Sequence, residues 1–345
     1  MRLALLLKAS SNRVYGAAAG ELARAELAVL DRWQLGSVVE ATCTEELGGV
    51  AYLVVDVALD EVDAGRTALL SNMSSLHALF ALEDGLLRPL PVAARSCHDE
   101  DIVTIQRYVG KTNEAFTHLL VNSALAIAGD AFPRLLAGER TRILDPVCGR
   151  GTTLNRAVVY GADAVGIELD HRDVEAYASF LLTWLKDKRL KHSVERASLR
   201  KGSPAPAHRL SVRYGASRDR RTHHAIDVVH DDTVNVRDHV ASRSIDALAC
   251  DLPYGVQHGS RPGRGAQERS PEQLLVDALP GWRDALRPGG GVALAWNTRT
   301  LGRGALLGLL GDAGLEPVMA EGDSSFEHRV DRAITRDVAL ARRPG

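Results

Sequence analysis

Two short runs of this sequence have residue types and spacings that could do chemistry. The first is Asp145-Pro-Val-Cys-Gly-Arg-Gly-Thr-Thr153, in which Asp145, Gly149 and Gly151 make D-x-x-x-G-x-G. It follows an apolar run (142–147) that reads as a strand and leads into helical spacing over 152–160. Glycines at such a turn permit positive φ and let a ligand approach the backbone closely. The first N–H groups of the following helix face an anionic or polar group. Glu168 closes the next apolar strand, Val165-Gly-Ile-Glu-Leu-Asp170, and an acid in that place can take both hydroxyls of a ribose. The spacing departs from G-x-G-x-x-G, which weakens a nicotinamide dinucleotide reading. A leading Asp with two glycines better suits a nucleoside cofactor bearing a charged amino acid group than one bearing a pyrophosphate.

The second run, Asp251-Leu-Pro-Tyr-Gly255, ends the apolar stretch 244–250. In open α/β sheets ligands bind beyond the carboxyl ends of strands near a switch point, which brings this run beside the glycine turn. An exocyclic amine on a base is a poor nucleophile because its lone pair is conjugated into the ring. Two acceptors aimed at its N–H bonds help it become tetrahedral and receive a methyl group. The Asp251 carboxylate and the Leu252 carbonyl supply such acceptors, Pro253 fixes the turn, and Tyr254 offers a stacking face worth about 1–3 kcal/mol per base. A target inside a helix must first be unstacked.

Together these residues resemble class I S-adenosylmethionine-dependent methyltransferases of the amino-methylating group. Asp145-Pro-Val-Cys-Gly-Arg-Gly-Thr-Thr153 is similar to the family's D-P-F-C-G-S-G-T-T cofactor motif, and Asp251-Leu-Pro-Tyr254 to its D-P-P-Y motif. The match is best to the tRNA guanosine N2-methyltransferases, whose members often carry a THUMP module. In them the cofactor motif follows a helix ending in an N-x-A segment; the corresponding stretch here is Gly110-Lys-Thr-Asn-Glu-Ala-Phe-Thr117 continuing to Asn122-Ser-Ala124. The resemblance covers about 110–340. It implies that Asp145, Cys148, Gly149 and Gly151 surround the methionine part of the cofactor, and that Glu168, with Asp170 nearby, holds the ribose hydroxyls. It further implies that Asp232 (or Asp231) meets the adenine amine and that Thr112 and Thr117 approach the cofactor carboxylate. Thr112-Asn-Glu114 is equally a helix N-terminus signal. The implied reaction is methyl transfer to N2 of a guanine in RNA, most closely tRNA. A DNA or rRNA amino-methyltransferase uses the same D-x-P-Y chemistry, and a non-catalytic RNA-binding protein could keep the fold. Val147 stands where the family has Phe, Leu252 where it has Pro, and the first 95 residues are short for a linker domain plus a THUMP module.

These sites need a scaffold, and 345 residues at 45% hydrophobic and 25% charged are ordinary globular usage. From about 100 onward strands and helices alternate, which predicts a Rossmann-like sheet with helices on both faces over 96–345. Strands are expected at 102–109, 142–147, 164–169, 225–230, 245–250, 291–296, 316–320 and 333–341. Helices are expected at 113–128, 152–160, 172–185 and 273–286. Residues 1–95 read as a smaller α/β unit compatible with a ferredoxin-like half: strands at 3–8 and 49–57, helices at 21–31 and 64–82, and a linker from Arg88-Pro-Leu-Pro-Val92 onward.

The net charge of −2 conceals a split. The window 186–221 holds twelve Lys/Arg against three acids, a net of +9, while the other 309 residues carry 30 bases and 41 acids, a net of −11. This basic insertion is a candidate RNA contact, and residues 259–269 after Tyr254 a candidate substrate lid. Cys43, Cys97, Cys148 and Cys250 form no C-x-x-C pair, and the histidines make no helical metal-binding pair, so no metal is expected. No stretch reaches the roughly 18 apolar residues of a membrane span. The default expectation is a soluble, cytoplasmic protein.

Overall fold

The computed structural model describes residues 1–10, 12–199, 207–215, 219, 223–253, 270–318 and 325–345. Two sheets organise them. The first is built from β1 (Arg2–Leu7), α1 (Arg13–Leu30), β2 (Val39–Leu47), β3 (Val50–Val57), α2 (Ala64–Ser71), β4 (Leu76–Glu83) and β5 (Leu86–Leu90). Its strand order is β2-β3-β1-β4-β5 with every pair antiparallel. A βαββαβ chain in that order is the ferredoxin-like arrangement, extended here by β5. The helix expected over 64–82 is corrected: α2 ends at Ser71, the chain turns over 72–75, and β4 follows, where Leu76 and Leu79 reach the core. Arg88, expected in a linker, lies in β5.

The second part begins with α3 (Asp101–Ile105), α4 (Glu114–Ala126) and α5 (Ala131–Leu136), followed by β6 (Arg142–Asp145), α6 (Thr152–Tyr160), β7 (Asp163–Glu168) and α7 (His171–Asp187). It continues with β8 (Lys191–Leu199), β9 (Ala207–Gly215), β10 (His224–His230), β11 (Ile245–Asp251), α8 (Pro271–Ala285), β12 (Leu286–Asn297) and α9 (Arg303–Asp312). The short β13 (Glu316–Pro317) and β14 (His328–Arg329) precede β15 (Thr335–Arg342). The sheet order is β13-β15-β12-β11-β6-β7-β10-β9-β8, with β14 paired to β15. Strands β12, β11, β6, β7 and β10 are mutually parallel. From β6 the chain winds first toward β7 and β10 and then across to β11 and β12, so the order reverses beside β6, the switch point of a doubly wound sheet. The strand expected at 102–109 is instead α3 and a loop: Ile102 and Val103 are buried as one turn of helix rather than alternately.

The two faces of the sheet differ in residue size. Ala247, Ala249, Ala293 and Ala295 face α4, while Leu248, Cys250, Val292 and Leu294 face the side packed by α8 and α9. Side-chain alternation along a strand separates the two sets. Small residues on one face let α4 lie close: a Cβ on Gly291 would overlap the Ala124 carbonyl. Every residue of α4 from Phe116 to Ala126 is buried. One hydrophobic core runs from Leu3, Leu5 and α1 through α4 to the second sheet.

A buried polar chain crosses the same seam. The Glu26 carboxylate of α1 accepts from the Ser74 amide (3.0 Å) and hydroxyl (2.6 Å) and from Asn122 Nδ2 of α4 (2.7 Å). Tyr160 donates its hydroxyl to Asn122 Oδ1 at 2.5 Å, and His118 Nε2 sits 2.5 Å from the same hydroxyl. Burial raises the Glu26 pKa, opposed by these donors.

Candidate active site

At the C-terminal ends of β6 and β11 lies a cleft of 1340 Å³, lined on one wall by Asp145, Cys148 and Gly149 and on another by Asp251, Leu252 and Pro253. The two sequence runs come together because β6 and β11 are adjacent and parallel, with Leu144 opposite Leu248. Tyr254 and the expected lid 259–269 fall outside the described residues.

The glycine loop needs its glycines. Gly149 has φ +50° and Gly151 φ +78°, backbone that other residues adopt only with strain. At Gly151 a Cβ would also run into the Tyr177 ring of α7, whereas at Gly149 it would meet nothing within 4 Å. The loop therefore packs tightly at Gly151 and lies open at Gly149. The Cys148 amide donates to the Ile167 carbonyl at 2.9 Å, tying the loop to β7. Its thiol lies over Gly166, where a Cβ would stand 2.6 Å from the sulfur, and burial pushes its pKa well up.

Three acids border this loop. Asp145 is 4% exposed and accepts from the Val147 amide at 3.2 Å. Desolvation pushes its carboxyl up to about 7, against the opposing Thr153 hydroxyl, with the charges of Glu168 and Asp251 adding to the rise. Glu168 Oε2 accepts from the Gly149 amide (2.8 Å) and Oε1 from the Asp170 amide (2.7 Å). The Leu169 amide adds a third backbone donor, and burial raises the Glu168 pKa against all three. Asp170 caps α7 through the Arg172 amide (2.8 Å), and the Arg172 guanidinium holds its pKa below the ordinary value.

The second wall holds a contact that the sequence did not reveal. Asp251 Oδ2 accepts from the Thr112 hydroxyl at 2.7 Å and stands 3.0 Å from Arg336 Nη2 of β15. Thr112, expected at the cofactor carboxylate, thus turns to Asp251. Asn113 supplies the cap of α4, accepting from the Ala115 (3.0 Å) and Phe116 (3.1 Å) amides. The Thr117 hydroxyl bonds back to the Asn113 carbonyl at 3.2 Å, yet Thr117 still borders the cleft. The Leu252 amide continues the ladder to the Ala295 carbonyl at 2.8 Å, and its side chain is buried.

Of the acids after β10, Asp232 Oδ1 caps a short 3₁₀ turn through the Val234 amide at 3.1 Å. Asp231 accepts from Asn235 Nδ2 (3.0 Å) and lies 2.5 Å from His239 Nε2. The rim contains a further residue outside both motifs. Tyr108 shares a 2.8 Å hydrogen bond with the Thr152 hydroxyl at the start of α6, beneath the Arg150 guanidinium, whose Cζ lies 5.1 Å from the ring centroid.

Within the basic window, β8 and β9 form an antiparallel hairpin that extends the sheet beyond β10. Part of the window's charge is answered by the acidic body. Lys188 meets Asp99 (2.7 Å) and Asp101 (2.5 Å), Arg196 meets Glu175 (2.7 Å), and Arg213 lies 3.5 Å from Asp227. Lys186, Arg189 and Lys191 are exposed. Arg200, Lys201, Arg218, Arg220 and Arg221 lie outside the described residues. Among the described residues no helix is long and apolar enough to cross a membrane, and no group of three His, Cys, Asp or Glu could hold a metal ion.

No protein-family model matches the chain, and no curated protein matches it. Among solved structures it is similar to TrmN from Thermus thermophilus, at 16% identity and TM-score 0.41, over 86% of this chain and 57% of that one. It is also similar to a TehB-like SAM-dependent methyltransferase from Corynebacterium glutamicum, at 15% identity and TM-score 0.34, over 61% of this chain and 85% of that one. A third is the T. thermophilus 16S rRNA N2 G1207 methyltransferase RsmC, solved with AdoMet and guanosine, at 13% identity and TM-score 0.32, over 59% of this chain and 35% of that one. The chain thus spans well under two thirds of the TrmN and RsmC chains.

Proposed function

We propose that this chain is an S-adenosylmethionine-dependent methyltransferase that methylates the exocyclic amine, N2, of a guanine in RNA, and that the RNA is tRNA. The observation that carries the reading is the confrontation, across one cleft, of the Asp145–Gly151 loop with Asp251-Leu-Pro253.

The residues present fit the cofactor. Asp145 is a buried acid whose charge is disfavoured by its surroundings, and a cationic amino acid group beside it would relieve that. Gly149 lies open where a ligand could approach the backbone. When bound, S-adenosylmethionine supplies a methyl group already activated on a sulfonium. In this reading Asp145, with Cys148, Gly149 and Gly151, receives the methionine part. Glu168 and Asp170 take the ribose hydroxyls, Asp232 takes the adenine amine, and Thr112 stands at the meeting of the two walls. The Asp251 carboxylate and the Leu252 carbonyl accept the two N–H bonds of the target amine, freeing its lone pair. Pro253 fixes that turn and Tyr254 stacks on the base. The exposed bases of the 186–221 segment supply phosphate contacts, each adding to the salt dependence of binding. We place the boundary between an N-terminal RNA-docking unit and the catalytic unit near residue 95, and the protein in the cytoplasm.

The test is transfer of labelled methyl to total tRNA, rRNA and DNA, followed by nucleoside mass spectrometry. N2-methylguanosine in tRNA is the expected product. A labelled adenine or cytosine, or label in DNA alone, would overturn the guanine-N2 assignment, and absence of transfer to every acceptor would overturn the enzyme reading.

A further inference from the structure

We infer that Arg336 and Thr112 are positioning residues for Asp251, which hold its carboxylate in the one orientation that meets the target amine. This rests on the reading of Asp251 as the amine acceptor.

Three elements remote in sequence converge on that carboxylate. Asp251 ends β11, Thr112 lies just before α4, and Arg336 lies in β15, opposite Asn297 of β12. Both donors reach the same oxygen, Oδ2: the Thr112 hydroxyl at 2.7 Å and Arg336 Nη2 at 3.0 Å. Two donors from different directions on one oxygen fix the torsion of a short side chain, and with it the direction of the whole carboxylate. Arg336 is itself held. It is 6% exposed, and its guanidinium carbon lies 4.7 Å over the Phe116 ring of α4. Stacking sets the plane of the guanidinium fork. The His328 ring packs on the same Phe116, centroids 5.1 Å apart, and burial lowers its pKa, which favours the neutral ring at neutral pH.

Burying an arginine is expensive in solvation, so spending one on this carboxylate points to a need for orientation. Amine methylation has such a need. An acceptor turned away from the N–H bond cannot draw the lone pair out of conjugation, and small misplacements at a reacting centre cost large factors in rate. Arg336 also balances the Asp251 charge within a cleft that Asp145 shares.

The experiment compares Arg336→Met, Arg336→Lys, Thr112→Val and Asp251→Asn in the full chain. It measures kcat and KM with unmodified tRNA, and calorimetric Kd for S-adenosylmethionine and S-adenosylhomocysteine. Arg336→Met should lower kcat by at least about 30-fold with KM and the S-adenosylhomocysteine Kd within about threefold. Arg336→Lys should recover part of the loss, and Arg336→Met combined with Asp251→Asn should be no worse than Asp251→Asn alone. Independently of turnover, Arg336→Met should bind S-adenosylmethionine more tightly relative to S-adenosylhomocysteine, because removing one positive charge from the cleft favours a cationic ligand over its neutral counterpart. An unchanged kcat, an unchanged affinity ratio, or multiplying losses in the double variant overturns the inference. Should Arg336→Met fail to fold, Thr112→Val decides: kcat falls with KM held, or the inference is wrong. An inactive Asp251→Asn beside a fully active Arg336→Met sinks this inference alone, whereas a fully active Asp251→Asn sinks the amine-acceptor reading and the inference with it.

Discussion

Asp145 and Asp251 end neighbouring strands of one sheet and face the same cleft, yet their charges are met in opposite ways. Asp251 has a guanidinium and a hydroxyl on one oxygen. Asp145 has the Val147 amide and the Thr153 hydroxyl, and no ion pair among the described residues, so desolvation pushes it up to about 7. The contrast teaches what each wall awaits. The β11 wall is complete in charge and offers an oriented acceptor, while the β6 wall is short of one positive charge, which a cationic ligand would bring.

The strongest break of this comparison is a pair of substitutions. Asp251→Asn should reduce methyl transfer by at least about 10³-fold while S-adenosylhomocysteine binding stays within about threefold. Asp145→Asn should instead weaken S-adenosylmethionine binding by about 100-fold. Equal losses of binding and transfer in both variants would erase the distinction.

Acidity sharpens it next. A cation beside Asp145 favours its ionised form, so S-adenosylmethionine affinity should climb about tenfold between pH 6 and 8, a rise that Asp145→Asn flattens. Without ligand the sign reverses. The folded carboxyl holds its proton up to about 7, above the ordinary carboxylate range, so the folded state binds the extra proton between these values. The ligand-free protein should therefore lose stability as pH rises from about 4 to about 7 and change little above that. A melting temperature that rises over this interval, or falls equally in Asp145→Asn, counts against it.

Gly151→Ala combines positive φ with overlap on Tyr177 and should destabilise by about 2–3 kcal/mol; Gly149→Ala, strained but open, by about 1 kcal/mol. Denaturant melts that rank the two the other way would show that the loop is not packed as described. The smallest effect is expected in the basic window. Lys186→Gln with Lys191→Gln should weaken RNA binding a few-fold and shallow its salt slope by about 1–2 contacts. Arg196→Gln, whose charge is already paired with Glu175, should change the slope less.

The sequence was informative where a signal is local. The glycine loop, the strand-ending Asp251 and the parallel strands β6, β7, β10, β11 and β12 each carry their pattern within a few residues. It misled at 64–82, where spacing fits a helix until the chain turns at residues 72–75 and alternates as β4. The hairpin signal was present in Leu210, Val212 and Tyr214, apolar at every second position and buried, but the basic residues interleaved with them gave the window the composition of a solvated segment. Arg336 and Thr112 had no local signal. Their meeting with Asp251 depends on β15 and the start of α4 arriving at one point in space, which spacing along the chain cannot encode.

Because α4 is buried along its length between the two sheets, the N-terminal sheet is not a detachable cassette. Removing it would strip the apolar face of α4 and leave Asn122 without the carboxylate to which it donates. The same helix begins beside Thr112, so its seating against α1 and its distance from Asp251 are one mechanical variable. A recombined protein carrying a foreign N-terminal module would have to reproduce that seam, residue by residue, before its cleft could be correctly set.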